Sequence, residues 1–179
     1  IISHVKSANV NVTKERTLEF NSKEGKELIS KYKIEKLPAL VVTGETEKIN
    51  IQNLEKRENA LLFTKTEPPY TNAVTGKIEG KVAIFSLNDP ECKNCSDLSS
   101  LISQIRLAGV KISEHKNISS NSEEGKELIT KYSINFAPTI VLSKDAGAYA
   151  IIQQAWPQIG SKENDGSYVL RQVSPPFIN

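Results

Sequence analysis

The chain has 179 residues, with 23 Lys and Arg against 21 Asp and Glu for a formal net charge of +2. Acids and bases are interspersed, which argues against nucleic acid or an anionic membrane surface as partner. No apolar stretch approaches the ~20 residues of a bilayer-spanning helix, so this segment is expected to make no membrane contact.

In chain order, the first informative segment is Asn21–Gly44, NSKEGKELISKYKIEKLPALVVTG. It returns 100 residues later as Asn121–Lys144, NSEEGKELITKYSINFAPTIVLSK, with 13 of 24 positions identical and no gap. Glu67-Pro68-Pro69-Tyr70-Thr71-Asn72 returns as Ser174-Pro175-Pro176-Phe177-Ile178-Asn179, now at a spacing of 107. Solenoid repeats run roughly 20–50 residues, so a period near 100 predicts repeated domains. Residues 1–72 are expected to form a partial unit, 73–80 a linker and 81–179 a second, complete unit. About seven extra residues are expected between the second unit's last strands and its exit.

Ile1, Ile2 and Val5 align with Leu101, Ile102 and Ile105. The chain is therefore expected to start inside the first unit's first helix, without the strand that belongs at the centre of its sheet. An unpaired edge of that kind requires a partner, so upstream residues of the parent, or another chain, are expected to supply the missing strand. The parent is expected to continue past Asn179 into a further repeat unit.

In the second unit, Lys81–Leu87 reads as a buried strand. Asn88-Asp89-Pro90 turns the chain, and Cys92-Lys93-Asn94-Cys95 follows. Leu98, Leu101, Ile102 and Ile105 then fall on one helical face, which Gly109 ends. Val110–Ser113 starts a second strand. Asn121-Ser122 offers an N-cap for a helix whose Leu128, Ile129 and Tyr132 face the core. Thr139–Ser143 and Ala148–Ile152 read as two strands joined by a turn at Lys144–Gly147. The expected order is β-α-β-α-β-β, an α/β unit with a parallel crossover and an antiparallel edge.

A C-x-x-C at the first strand-to-helix junction, with Phe136-Ala137-Pro138-Thr139-Ile140-Val141 opening the third strand, resembles the thioredoxin family. The resemblance spans Gly80 to about Ile152, and Ile1 to about Gln52 in the first unit, including Leu37-Pro38. It implies two tandem thioredoxin-like domains, each a mixed sheet flanked by helices, the first lacking its first strand and C-x-x-C region. Tandem units of this kind are similar to protein disulfide oxidoreductases and isomerases. The resemblance further implies a cis Pro138 beside Cys92 and Cys95, with Ala137 and Pro138 presenting backbone to an extended substrate. Two departures stand out. Glu91 and the Lys93-Asn94 dipeptide replace the family's aromatic residue and its Gly-Pro, and Ser86 falls where the family has a buried acid.

Exchange of disulfides needs an attacking thiolate and a second thiol to resolve the mixed disulfide. At a helix N-terminus, Cys92 would meet unpaired N–H groups that lower its pKa, with Lys93 helping and Glu91 and Asp89 opposing. Cys95 would be the more buried, resolving thiol. The same spacing also suits half a zinc site, but four ligands are needed and only His4 and His115 remain as candidates; it also suits an inert bridge. No metal and no cofactor are expected. His115 is expected to face solvent or lie at an edge.

Two functions remain open. One is a thiol–disulfide oxidoreductase whose partners are protein thiols and disulfides. The other is a non-catalytic array of thioredoxin-like units serving as a structural or interaction module. An extracytoplasmic or membrane-tethered location is favoured over a cytoplasmic one.

Overall fold

A computed structural model describes residues 5–6, 10–46 and 51–178. Ile1 and Ile2, on which the start of the first helix was placed, lie outside the described residues, as does His4; Val5 is helical and buried. The chain divides into two compact units, Ile1–Ile78 and Glu79–Asn179. Among the described residues it is a mixed α/β structure with four α-helices and three sheets, one of them with both parallel and antiparallel pairings.

In the first unit, helix α1 (Lys23–Tyr32) starts at Ser22. The Ser22 hydroxyl accepts the Gly25 N–H at 3.0 Å and donates to the Glu19 carbonyl at 2.6 Å. The helix stops at Lys33, whose positive φ of 50° returns its N–H to the last turn. The short strand β1 (Lys36–Leu37) precedes β2 (Leu40–Thr43), β3 (Glu55–Arg57) and β4 (Ala60–Phe63). The last three form an antiparallel sheet in the order β2-β4-β3, with Val41 opposite Leu62. Tyr32, Ile34, Ala60 and Leu62 pack into one core on the helix side. Strands β5 (Tyr70–Asn72) and β6 (Ile78–Glu79) join β1 in a separate small sheet.

The second unit repeats this plan and extends it. Strand β7 (Val82–Asn88) leads through the cysteine loop into α2 (Ser99–Leu107), then β8 (Ile112–Ser119) and α3 (Glu123–Tyr132). Strand β9 (Thr139–Leu142), a 3-10 turn over Lys144–Ala148, α4 (Ala150–Ile159), β10 (Gly160–Lys162) and β11 (Tyr168–Leu170) complete it. The sheet order is β10-β11-β9-β7-β8; β7 runs parallel to β8 and antiparallel to β9. Alternate residues of the central strands feed two cores, as a pleated sheet requires. Val82, Ile84, Ile140 and Leu142 face α2 and α4, while Leu87, Ile118, Val141 and Val169 face Tyr132 of α3.

Two sequence expectations are corrected. The apolar run Ala148–Ile152 is not a strand: Ala150 opens α4, whose Ile152 and Trp156, four apart, share the buried face. The extra residues lie before the last strands, not after them. Val141 faces Val169 as Val41 faces Leu62, so the shift to a spacing of 107 is complete by β11, and the region between β9 and the final hairpin holds α4. The second strand, expected to start within Val110–Ser113, runs from Ile112 to Ser119.

Ser122 caps α3 as Ser22 caps α1, accepting the Gly125 N–H at 3.0 Å and donating to the Ser119 carbonyl at 2.6 Å. This turn brings the helix so close to the end of β8 that a Cβ on Gly125 would collide with the Ser119 carbonyl oxygen. Gly25 stands in the same relation to Glu19. Gly125→Ala is therefore expected to destabilise the second unit by about 1–3 kcal/mol, the usual cost of overpacking. Urea unfolding followed by the fluorescence of Trp156 measures this, and an unchanged midpoint would refute the close approach.

At the other end of α3, Lys131 Nζ lies 2.7 Å from Asp165 Oδ2, and the Tyr132 hydroxyl donates to the same oxygen at 2.8 Å. The Lys131 ammonium first, then the Ser167 N–H, hold the Asp165 carboxyl well below the usual carboxylate range. Asp165 in turn raises Lys131 above its ordinary value. A depressed carboxyl stabilises the fold above its unfolded value of about 3.9 and loses that contribution as pH falls below it. The raised lysine contributes below about 10.4 and loses its share as pH rises past that value. Asp165→Asn should therefore flatten the stability profile at both ends, with a small amplitude because both groups are more than a third exposed. Urea midpoints from pH 2 to 11 test this; a variant profile parallel to the parent's would contradict the pairing.

Candidate active site at the Cys92–Cys95 loop

The chain leaves β7 at Asn88 and folds into successive tight turns. Asp89 accepts the Glu91 N–H on its side chain at 2.7 Å and the Cys92 N–H on its carbonyl at 3.3 Å. The Lys93 N–H then donates to the Glu91 carbonyl at 3.1 Å. Cys92 and Cys95 are joined by a disulfide, with Cα atoms 5.5 Å apart. Both are half-buried, while Glu91 and Lys93 are exposed. Among the described residues no group of three or more His, Cys, Asp or Glu side chains could hold a metal ion.

The helix end is not where the sequence placed it. Helix α2 begins at Ser99, so Cys92 stands seven positions ahead of it and Cys95 four. A helix dipole acts within the first turn. That turn is already served by Asp97, whose carboxylate accepts the Ser99 N–H at 2.9 Å and the Ser99 hydroxyl at 2.5 Å. These two bonds, the hydroxyl first, hold the Asp97 carboxyl below its ordinary range. The acid takes the role that the spacing alone assigned to the sulfur.

The Ala137–Pro138 peptide bond is cis, and so is Leu37–Pro38 in the first unit. Ala137 is buried at the entry to β9. Its N–H donates to the Ile178 carbonyl at 3.0 Å, and its carbonyl accepts the Ile178 N–H at 2.9 Å, a two-bond antiparallel bridge. The same C-terminal segment reaches the cysteine loop. The Ser96 N–H donates to the Pro176 carbonyl at 2.9 Å, and the Ser96 hydroxyl to the Ser174 carbonyl at 2.6 Å. Phe177 meets Phe136 edge-on with ring centroids 4.7 Å apart. The strap Ser174–Ile178 thus ties the residue after Cys95 to the residue before Pro138.

Beneath the loop, Ser86 is buried on β7, and its Oγ lies 2.8 Å from Nε2 of His115 on the edge strand β8. His115 is exposed at an edge, as expected, yet it also closes a hydrogen bond that sequence reading missed. No signal of spacing pointed to it, because Ser86 and His115 meet only through the register that sets Ile84 opposite His115. The part played by Ser96 was missed too. The strap did leave a trace, the echo of Pro-Pro-aromatic in both units.

No protein-family model, curated protein or solved structure matches the chain.

Proposed function

We propose that the second unit is a thioredoxin-like module and that Cys92–Cys95 is a thiol–disulfide exchange centre acting on protein thiols and disulfides. The observation that carries this reading is the placement of a half-buried disulfide in the loop between β7 and α2, tied through Ser96 and one extended segment to the backbone of Ala137, beside Pro138. A parallel β7–β8 pair with β9 antiparallel on the other side supports the thioredoxin-like arrangement. The first unit, with matching caps, a matching cis proline and a matching hairpin, supports a tandem of two such modules.

In this reading a substrate thiolate attacks Sγ of Cys92. The Cys92–Cys95 bond breaks, and Cys95 leaves with the electron pair as a thiolate. A second substrate thiolate then attacks the substrate sulfur of the mixed disulfide, forming the substrate disulfide and releasing Cys92 as a thiolate. Two electrons and two protons pass from substrate to cysteine pair, and the reverse sequence reduces a substrate disulfide. Exposed Lys93 and Glu91 set the local field around the loop, where a charge change modulates thiolate content.

The second reading is a non-catalytic module within a repeat-containing parent. One observation favours it: the first unit pairs Leu37 with Thr71 just as the second pairs Ala137 with Ile178. A pairing shared by both units fits a structural role for the strap.

Single-cysteine variants separate the two. Cys95→Ser incubated with a disulfide-containing protein is expected to trap a mixed disulfide through Cys92, seen by non-reducing electrophoresis and mass spectrometry. Cys92→Ser is expected to trap none. Reversed trapping would overturn the assignment of the nucleophile, and an unaltered chain that neither oxidises nor reduces any protein substrate would leave the module reading.

A further inference from the structure

The strap Ser174–Ile178 lies where a substrate would have to lie. A segment that delivers a sulfur to Cys92 or Cys95 must pass between the cysteine loop and the Pro138 loop, and that edge offers few backbone groups for pairing. Ala137 provides one N–H and one carbonyl, both taken by Ile178. Ser96 provides an N–H and a hydroxyl, taken by the carbonyls of Pro176 and Ser174. Phe136 provides an aromatic face, taken by Phe177. Main-chain bonds with one side-chain contact are the contact set by which a sheet edge takes up an extended peptide.

The strap is also lightly held. Residues 174–177 are exposed, and Phe136 and Phe177 each keep 38% of their surface in solvent. Segments with few buried contacts open at low cost while the core remains folded. In the first unit the equivalent edge is filled the same way: Leu37 pairs with Thr71, and the Lys36 ammonium lies 4.5 Å from the centre of the Tyr70 ring. The aromatic residue of the strap is kept while its partner changes from Phe136 to Lys36.

We propose that Ser174–Ile178 is an intramolecular surrogate that closes the substrate edge of the Cys92–Cys95 site. The edge itself recognises extended protein segments that place an aromatic residue against Phe136 and a backbone N–H and carbonyl against Ala137. This rests on the exchange reading given above. Substrates compete with the strap, so the centre works in proportion to the fraction of molecules with the strap released.

The experiment compares the unaltered chain with Ile178→Pro, which lacks the N–H that bonds Ala137, and with Phe177→Ala, which loses the ring contact. The probe is the synthetic peptide Ser-Pro-Pro-Phe-Ile-Asn, titrated into oxidised, isotopically labelled protein and read at the Ser96 and Ala137 amides. Both variants are expected to bind it about ten-fold or more tightly than the unaltered chain, because an occupied edge reduces apparent affinity by the open fraction. Equal affinity in all three chains, or no binding to either variant, overturns the strap. In parallel, oxidation of a reduced protein dithiol should accelerate in both variants while exchange with dithiothreitol, which needs no edge, stays constant. A pair inert to dithiothreitol in every form would defeat the exchange reading, and the peptide titration would still decide the strap by itself.

Discussion

Backbone polar groups that leave water must find partners, and at the entry to β9 this requirement links the site to the rest of the unit. Ala137 is buried, and its N–H and carbonyl both bond the backbone of Ile178. They are satisfied only because the C-terminal segment folds back along them as one residue of antiparallel ladder. The same segment fixes Ser96, and so the exit of the cysteine loop. The first unit meets the same requirement at Leu37 with Thr71. The pairing therefore belongs to the architecture of the repeat.

This arrangement bears on the chemistry. With α2 starting at Ser99, whose N–H bonds the Asp97 carboxylate, the cysteine loop is a set of hydrogen-bonded turns ahead of the helix, not its first turn. The reactivity of the pair then depends on the loop and on its neighbours more than on a helix dipole. The strap is one of those neighbours, and its residues 174–177 are exposed. Its prolines have no N–H to satisfy, and the strap meets Ser96 through the carbonyls of Ser174 and Pro176.

Much of the fold was legible because the repeat doubled every signal. Ser122 before an apolar stripe read as a cap, and the structure has Ser122 Oγ on the Gly125 N–H. Leu128, Ile129 and Tyr132 at helical spacing face the core as expected. Ala148–Ile152 misled because five apolar residues carry no period. The helix is set by Ile152 and Trp156 beneath α4 and by the Tyr149 hydroxyl, which donates to the Gly80 carbonyl at 2.7 Å and accepts the Lys111 N–H at 2.9 Å. Burial keeps that hydroxyl's pKa above its ordinary value. Those contacts are long-range and left no local mark. In the site, the cysteines and Pro138 were visible as motifs. Asp97 was hidden because a carboxylate two residues past Cys95 looks like any surface acid, and the Ser86–His115 bond was hidden because it spans two strands.

The most direct test of the account is the equilibrium reduction potential of Cys92–Cys95 in the full chain, measured by thiol trapping and mass spectrometry across graded glutathione and dithiothreitol buffers. An exchange centre is expected to fall between about −120 and −270 mV, the span of known exchangers. A value below about −300 mV, which would make the pair a fixed bridge, would contradict it, and so would thiols that resist oxidation.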